Sequence, residues 1–350
     1  MKRISKSYSV RSEMEPKKRF FRAVKQLNVD RPPVLSVNST VTAEIMEMLG
    51  IFMRDAYSDP KKMAELASTS YTVFGLEAVG VPFCQTVEAE VFGIDVDWGK
   101  KKTTIPTISY RGDVAPEGID VPENFLERGR VPTVLDAIEI LSERFDDIPV
   151  FGRVIGPFSL AAHIANMEKI LRMSIKKPKL VVELTEMCID VIAEYANAML
   201  EHGADAVVIE NMFASADVIG AKGYASSAKP FDKELVGKIK GETILHICGD
   251  CTSIIEDMVE TGVSGLSIDS KTDAGHAVEI SRNRSAILGN VDTVYTLPFG
   301  TEKDVRNEVI RAIEAGVDVV APGCAISPLT PTENVKVMVE TVKRYVLFER

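Results

Sequence analysis

The chain has 350 residues, of which 45% are hydrophobic and 26% are charged, and its formal net charge is −10. A chain of this length and composition can bury a large core without disulfides. Its negative charge argues against a nucleic-acid partner, and no stretch approaches the roughly 18 consecutive apolar residues that a membrane span needs, so we expect no membrane association.

The N-terminal residues are basic, but no apolar run follows them, so we expect no secretory signal and a cytoplasmic protein. Residues 1–14 show no pattern and are predicted to be disordered. Five cysteines, an odd number, indicate free thiols or metal ligands in a reducing compartment. Cys84 and Cys188 are interpreted as small buried hydrophobic residues.

From about residue 150 onward, a short β-rich run, a loop and an amphipathic helix alternate, which is typical of βα units. The candidate strands are residues 33–37, 79–83, 150–155, 206–209, 243–247, 265–268, 286–288 and 317–320. Most are nearly continuous in Val, Ile and Leu, as parallel strands covered on both faces are. We therefore predict an α/β fold, a single-domain (β/α)8 TIM barrel over residues 15–350.

Seven helices are predicted between these strands, at residues 43–48, 60–74, 133–145, 179–203, 254–260, 302–315 and 332–345. Asp59 is a candidate N-cap, and Gly203, Gly262 and Gly316 stand where helices end. His202, beside one of these glycines, is interpreted as a charge at a helix C-terminus. Residues 98–130 interrupt the alternation and are predicted to form a hairpin or a cap over one barrel end.

Two strand ends carry the residues that indicate chemistry. His246 and Cys248 lie two residues apart on one strand, so their side chains project to the same side. Cys324 ends a second strand, after the sequence Ala-Pro-Gly, and the carboxyl ends of barrel strands meet at the mouth where active sites lie. One imidazole and two thiolates are ligands that zinc accepts, and three protein ligands are typical of a catalytic zinc site.

The fourth position is predicted to be exchangeable, with Asp269, at the end of the intervening strand, as its ligand. Cys251 is an alternative ligand, but it follows the glycine turn and is expected to point along the next helix. A buried core histidine beside a buried cysteine is the alternative without a metal. Bound zinc would hold an added thiol as a thiolate, a good nucleophile, and hydrolysis by zinc-bound water is the competing chemistry.

From about residue 28 to the C-terminus the chain resembles the methylcobamide:coenzyme M methyltransferases of the uroporphyrinogen decarboxylase-like superfamily. The resemblance rests on residues 75–79 (GLEAV), 82–84 (PFC), 126–132 (LERGRVP), 174–177 (SIKK), 245–249 (LHICG), 265–267 (GLS), 288–291 (LGNV), 321–324 (APGC) and 328–331 (PLTP). It implies a TIM barrel and one zinc ion held by His246, Cys248 and Cys324. It also implies methyl transfer from a corrinoid on a separate protein to coenzyme M.

Two departures from the family pattern concern the acceptor thiol. Asp269 stands where the pattern has a glutamate, which shortens the arm of the exchangeable ligand. Residues 209–213 (IENMF) replace a different, aspartate-containing loop. The loops at 210–224 and 271–276 are candidates for the corrinoid-facing surface. Arg153 and Lys222 are candidates to bind a sulfonate, and His276 is interpreted as a surface histidine.

Three alternatives remain at this stage. A decarboxylase is disfavoured because residues 33–39 lack the arginine-rich motif that would hold a porphyrinogen. The cobalamin-independent methionine synthases have a similar H-x-C site, with homocysteine as the thiol. A corrinoid- or zinc-binding module without turnover is the third, although the chain lacks a D-x-H-x-x-G corrinoid motif, so that any corrinoid is expected on a partner protein.

Overall fold

The computed structural model describes residues 13–109 and 119–348. The N-terminal segment predicted to be disordered falls outside this part of the chain except for its last two residues, and so does the middle of the predicted excursion. In the described residues, no helix is long and apolar enough to cross a membrane.

A parallel sheet of seven strands forms the centre of the molecule, and its strands follow one another in chain order. The seven are β1 (Val79–Val81), β4 (Val150–Ile155), β5 (Ala206–Glu210), β6 (Glu242–Ile247), β7 (Gly265–Ile268), β8 (Ala286–Val291) and β9 (Val319–Pro322). Two further strands, β2 (Val96–Asp97) and β3 (Thr107–Ile108), pair antiparallel outside this sheet. Every strand of the parallel sheet was predicted from the sequence to within a few residues.

The eighth predicted strand, residues 33–37, is reduced to a single bridge. Val34 pairs in parallel with Val320 of β9. On its other side, the carbonyl of Val34 accepts a hydrogen bond of 2.8 Å from the amide of Glu77, just before β1. The segment therefore connects the last strand to the first and closes the barrel, although too few of its backbone bonds are regular for it to be a strand. The predicted TIM-barrel fold is confirmed.

Helices surround the sheet. They are α1 (Pro16–Val24), α2 (Ala43–Leu49), α3 (Met53–Ala56), α4 (Pro60–Thr72), α5 (Val87–Val91), α6 (Val131–Arg144), α7 (Pro157–Ala165), α8 (Met167–Lys176), α9 (Pro178–Glu201), α10 (Ala216–Ser227), α11 (Lys229–Lys238), α12 (Ile255–Val259), α13 (Ala274–Ser281), α14 (Thr296–Phe299), α15 (Glu302–Ala315) and α16 (Thr332–Phe348). Within residues 13–109 and 119–348 there are also three short 3-10 helices, at Phe125–Glu127, Met212–Ala214 and Thr252–Ile254.

The structure contains all seven predicted helices, and each begins and ends within a few residues of its predicted bounds. The Asp59 side chain accepts hydrogen bonds from the amides of Lys61 and Lys62 at the start of α4. Gly316, which ends α15, has a φ of 92°, a backbone conformation that favours glycine. The sequence analysis missed α7 because all nine of its residues are buried, so the helix has no polar face to reveal its period.

The N-terminal end of the barrel is closed by α1. Phe20 is completely buried and its ring lies 5.1 Å from that of Phe151 on β4. Beside it, the buried carboxylate of Glu77 accepts hydrogen bonds from Arg19, Arg31 and the amide of Val34. This end of the barrel is thus filled and held by buried ion pairs, which leaves the opposite end for a ligand.

The predicted excursion covers that opposite end. Its hairpin begins at Val96, two residues before the predicted start of the excursion. Residues 105–108, which end in the second strand, line a cavity at the barrel mouth. The sequence predicted a hairpin or a cap over one barrel end, and the described residues form a hairpin that lies at the barrel mouth. Residues 110–118 of the excursion lie outside them.

Candidate metal centre

The structure brings His246, Cys248 and Cys324 together at the barrel mouth. The Nε2 atom of His246 lies 3.2 Å from the sulfur of Cys248, and the two sulfurs lie 3.3 Å apart. All three donor atoms lie within 4.8 Å of one another. His246 and Cys248 project from the end of β6 and Cys324 from the end of β9, as the strand-end pattern predicted.

A glycine next to Cys324 permits this convergence. A Cβ atom on Gly323 would lie 2.7 Å from the amide nitrogen of Ser270, closer than atoms can approach. The loops after β7 and β9 therefore touch backbone to backbone, and this contact positions Cys324 toward β6.

Ser267 contacts the His246 ring on the side that faces away from the two thiols. The Nδ1 atom of the ring lies 3.1 Å from both the carbonyl oxygen and the hydroxyl of Ser267, its neighbour on β7. A carbonyl oxygen can only accept, so Nδ1 carries the proton in this contact, and when the ring is neutral its Nε2 lone pair faces the thiols. A histidine held in this way is ready to bind a metal through Nε2.

The electrostatics of the three residues favour a thiolate. The hydrogen bond from Cys248, followed by the positive charge of His246, holds the pKa of Cys324 well below its usual range, although burial opposes the shift. The same hydrogen bond raises the pKa of Cys248. Burial lowers the pKa of His246, but the charge of Cys324 outweighs it and the net shift is upward.

Asp269 lies next to this group but bonds elsewhere. Its Oδ2 atom accepts a hydrogen bond of 3.1 Å from the amide of Gly249, and its Oδ1 atom accepts one of 3.0 Å from the backbone amide of Lys271. It is not among the three clustered donors. Cys251 is buried, and its sulfur lies 3.5 Å from the carbonyl of Ile247, away from the cluster. As expected, it begins the helical segment after the turn.

The three donors open into a cavity of about 360 Å³. Its wall is mostly apolar, and its lining residues are Asn38, Ser39, Phe83, Cys84, Gln85, Thr86, Ile105, Pro106, Thr107, Ile108, His163, Glu210, Met212, Phe213, His246, Cys248, Cys324 and Ala325. A cavity of this size suits a small molecule beside the three donors. Lys222 and His276 are not among its described lining residues.

Two groups in this wall escaped the sequence analysis as site residues. Glu210, at the end of β5, is the register partner of His246, and Gln85 donates a hydrogen bond of 2.9 Å to its carboxylate. Burial raises the pKa of Glu210 despite the opposing charge of Arg153. Cys84 also lines the cavity, with its sulfur 3.0 Å from the hydroxyl of Tyr57. The sequence analysis placed Glu210 only in a segment that departs from the family pattern and Cys84 only in the core, because neither lies in a motif of metal-binding residues.

The other candidates occupy structural positions. Arg153 is buried below the cavity and donates only to main-chain carbonyls in the hydrogen bonds that the structure shows. Cys188 is buried in α9, as predicted. His202 caps the end of α9, where its Nδ1 atom lies 2.8 Å from the carbonyl of Ala198, in agreement with its interpretation as a helix-end residue.

The family model for uroporphyrinogen decarboxylase (URO-D) matches residues 15–345. The chain belongs to this family. The matched region of this uroporphyrinogen decarboxylase family member includes all eight barrel positions and all three clustered donors.

The identity to named relatives shows which branch of the family the chain resembles most. A methylcobamide:CoM methyltransferase from Methanosarcina acetivorans is 38% identical over 338 residues, which are 95% of this chain and 99% of that protein. Another, from Methanosarcina barkeri, is 34% identical over the same shares. A uroporphyrinogen decarboxylase from Chlorobium phaeobacteroides is 25% identical over 81% of this chain and 84% of that protein. The predicted resemblance is confirmed, and this family member is a methyltransferase.

Solved structures show the same barrel fold. A methyltransferase from Methanosarcina mazei superposes with a TM-score of 0.90 at 35% identity, over 95% of this chain and 99% of that chain. A B12-independent methionine synthase from Shewanella superposes with a TM-score of 0.57 at 12% identity, over 91% of this chain and 98% of that chain. At that low identity, the second likeness shows only a shared fold.

Proposed function

We propose that this protein transfers a methyl group from a methylated corrinoid, carried by a separate protein, to coenzyme M, with a zinc ion held by His246, Cys248 and Cys324. The observation that carries the proposal is the convergence of these three donors, within 4.8 Å of one another, on a small cavity. The relatives named methylcobamide:CoM methyltransferases support the choice of donor and acceptor.

The donor set fits zinc. One imidazole nitrogen and two sulfurs from three side chains leave a fourth tetrahedral position for an exchangeable ligand, which is the pattern of catalytic rather than structural zinc. When bound there, zinc would take the place of the proton on the acceptor thiol and keep its sulfur a thiolate near neutral pH. Two thiolate ligands make the metal a weaker acid toward water, which disfavours the hydrolytic alternative.

The residues around the donors have separate tasks. Ser267 fixes the ring of His246, and the apolar wall, with Phe83, Ile105 and Phe213, keeps water from the reacting sulfur. In the transfer itself, the acceptor sulfur forms a bond to the methyl carbon while the cobalt–carbon bond breaks. Both electrons of that bond stay with the cobalt, so the corrinoid leaves as Co(I), and the thiol leaves as a methyl thioether.

The exchangeable ligand is assigned to Asp269. It ends β7, between the strands that supply the three donors, and its carboxylate already bonds to the loop that follows Cys248. Glu210 is the alternative carboxylate, because it lines the same cavity. Either carboxylate would hold the fourth position of a bound zinc ion only until the acceptor thiol occupies it.

Homocysteine remains the alternative acceptor, and a module that binds zinc or corrinoid without turnover is the second alternative. The mouth of the barrel must receive the corrinoid face, and we assign this surface to the segments 210–224 and 271–276, which follow β5 and β7. The sequence analysis predicted both as loops, but the structure folds most of the first into a 3-10 helix and the start of α10, and the second runs into α13. We place the reaction in the cytoplasm, where thiols stay reduced.

A direct assay tests the proposal. Zinc-loaded protein is incubated with methylcobalamin and either coenzyme M or homocysteine, and the loss of the methyl–cobalt absorbance and the thioether product are measured. We expect methylation of coenzyme M that is lost in Cys324→Ser and after removal of the metal, and that persists in Cys188→Ser, a buried cysteine away from the site. Turnover by metal-free protein or by Cys324→Ser would contradict the proposal.

A further inference from the structure

Cys84 lies in the wall of the cavity that contains the three metal donors, and hydrogen-bond donors surround its sulfur. The residue is 9% exposed. Its sulfur lies 3.0 Å from the hydroxyl of Tyr57, 3.1 Å from the hydroxyl of Thr86 and 3.7 Å from Nη1 of Arg130. Cys84 is buried, as the sequence predicted, but its surroundings are not those of a small hydrophobic residue.

The other partners of these groups make the sulfur the acceptor. The Tyr57 hydroxyl accepts a hydrogen bond of 2.8 Å from the amide of Phe83, which leaves its own hydrogen for the sulfur. The Thr86 hydroxyl accepts one of 2.8 Å from Nη2 of Arg130 and is left with its hydrogen in the same way. A guanidinium can only donate. Three donors around one sulfur stabilise negative charge on it, and the thiolate is the nucleophilic form of cysteine.

The guanidinium of Arg130 is fixed beside the sulfur. Its Nε atom donates a hydrogen bond of 2.7 Å to the carboxylate of Glu90, and its central carbon lies 4.6 Å from the ring centre of Tyr57 and 5.2 Å from that of Trp98. Glu90 balances part of the charge from the Nε side, whereas Nη1 lies on the side of the sulfur. Because arginine stays protonated in proteins, this positive charge is permanent.

The cavity beside Cys84 has unpaired polar groups in its wall. Both amide atoms of Asn38, which is 1% exposed, and the Oε1 atom of Gln85 lack a hydrogen-bond partner among the described residues. Such groups cost free energy when they are buried, so we expect a polar molecule to enter this cavity. Cys248 and Cys324, at which the proposed function places the acceptor sulfur, line the same cavity. A molecule that contains this sulfur can therefore reach Cys84 as well.

The other four cysteines do not compete for such a molecule when zinc is bound. Cys248 and Cys324 would then hold the metal. Cys188 and Cys251 are 0% exposed. Burial raises the pKa of Cys188 above its usual range and that of Cys251 to about 12, so both stay protonated and unreactive. Cys84 alone among the five combines polar contacts to its sulfur with a place in the cavity wall.

We propose that Cys84 is a modification site that exchanges with the disulfide form of the acceptor thiol and thereby blocks the cavity. The inference rests on the proposed function, because the disulfide of coenzyme M is the co-reactant, and it adds a regulation of the same site. Methyl transfer then depends on the redox state of the acceptor: the disulfide closes the cavity, and the free thiol opens it again.

The exchange needs no other oxidant or reductant. The Cys84 thiolate attacks one sulfur of the disulfide and forms a new sulfur–sulfur bond, while the original sulfur–sulfur bond breaks. The second sulfur leaves with the electron pair of that bond and takes up the proton that Cys84 released, so one molecule of coenzyme M is set free. The Cys84 sulfur is oxidised and the leaving sulfur is reduced. Excess coenzyme M drives the reverse reaction.

The first test follows the modification by mass spectrometry. Zinc-loaded protein without reductant is incubated with the symmetrical disulfide of coenzyme M, and the intact mass and the modified peptide are determined over time. The variants are Cys84→Ser, which removes the thiol, and Thr86→Val, which removes one donor. The controls are Cys188→Ser, at a buried cysteine outside the cavity, and Thr330→Val, at a buried hydroxyl without a partner that does not line the cavity.

We expect one coenzyme M adduct per chain, on the peptide that contains Cys84, in wild-type protein and both controls, and none in Cys84→Ser. Thr86→Val should react about threefold more slowly at neutral pH, because its thiolate forms less often but is the stronger nucleophile. Glutathione disulfide, a much larger molecule, should react at least about tenfold more slowly, because exchange depends on access. An adduct on Cys248 or Cys324, no adduct, a wild-type rate in Thr86→Val, or equal rates with both disulfides would overturn the proposal.

The second test measures activity. Methyl transfer from methylcobalamin is followed at a fixed concentration of coenzyme M and rising disulfide, and each protein is compared with its own rate without disulfide. At about a tenfold excess of disulfide, wild-type protein should lose half of its rate or more, and Cys84→Ser should keep its own rate within about twofold. Equal losses in both would reveal a reversible competitor and overturn the covalent regulation.

The two tests separate this inference from the proposed function. If untreated wild-type protein methylates no thiol, the proposed function fails, whereas the adduct on Cys84 is decided by mass alone. If wild-type protein methylates coenzyme M but Cys84 forms no adduct, the regulation is wrong and the function stands.

Discussion

Ser267 lies directly beside His246 in the sheet, and both its carbonyl oxygen and its hydroxyl lie 3.1 Å from Nδ1 of the histidine. The register of β6 and β7 fixes this relationship, so the orientation of the His246 ring is built into the barrel rather than into a flexible loop. Only the hydroxyl of the two contacts can be removed by substitution.

Ser267→Ala tests what that hydroxyl contributes. Because the carbonyl contact remains, the ring should keep its position but rotate more freely. Substituting the hydrogen-bond partner of a metal ligand lowers metal affinity by about 10- to 100-fold, and we expect a loss near tenfold here. The measurement is a competition titration against a zinc chelator. Ser281→Ala, another buried serine outside the cavity, is the control. An unchanged zinc affinity in Ser267→Ala would show that the carbonyl alone orients the ring.

The exchangeable ligand can be identified by replacing each candidate carboxylate with its amide. In cobalt-substituted protein without thiol, we expect Asp269→Asn to lose an oxygen neighbour and to shift the visible d–d spectrum, while Glu210→Gln keeps the wild-type spectrum. Both substitutions conserve shape, so packing changes little. The reverse result, a change in Glu210→Gln alone, would assign the position to Glu210.

Barrel closure depends on the buried carboxylate of Glu77. It accepts hydrogen bonds from Arg19 and Arg31 and from the amide of Val34, the residue that bridges to β9. Glu77→Ala leaves two buried guanidinium groups without this partner, which should lower the free energy of unfolding by about 3–5 kcal/mol. Chemical denaturation measures the loss. Glu65→Ala, at an exposed ion pair, should cost less than about 1 kcal/mol, and equal losses would contradict the role of Glu77.

Glu88 should give the protein a pH-dependent stability. Its carboxylate is buried and accepts a hydrogen bond of 2.9 Å from the amide of Ile155, and burial raises its pKa to about 7 from 4.5. Between these two pH values the folded protein holds a proton that the unfolded chain has released, so stability falls as the pH rises from about 4.5 to about 7 and is then constant.

Glu88→Gln removes this titration and keeps the acceptor oxygen. The variant should unfold with a free energy up to about 3 kcal/mol higher than wild type at pH 8, and the two should converge below pH 4.5. Denaturation at a series of pH values provides the comparison. The exposed Glu186→Gln should follow wild type throughout, and a constant difference between Glu88→Gln and wild type at all pH values would refute the account.

The clustering of the three donors and the barrel were predictable because their signals are local. His246 and Cys248 stand two residues apart on a strand, and Cys324 follows a strand of the same kind, so alternation and strand order suffice to bring them together. The barrel strands are apolar runs with glycine turns, a pattern that survives without any knowledge of tertiary contacts.

The remainder of the site depends on contacts between distant segments. Asn38 and His163 are 125 positions apart, and nothing in either neighbourhood reveals that both face one cavity or that their atoms lack partners. The same holds for Glu210, whose importance follows only from its register with His246. The eighth strand was overestimated because residues 33–37 have a strand composition, yet the structure gives them only one bridge.

Zinc-edge X-ray absorption tests the central claim most directly. The purified protein is measured alone, with coenzyme M and with homocysteine, and the sulfur neighbours of the metal are counted. The account predicts two sulfurs and one imidazole from Cys248, Cys324 and His246, and a third sulfur with coenzyme M in exchange for an oxygen. A protein that binds no zinc, or a metal shell that neither thiol changes, would contradict it.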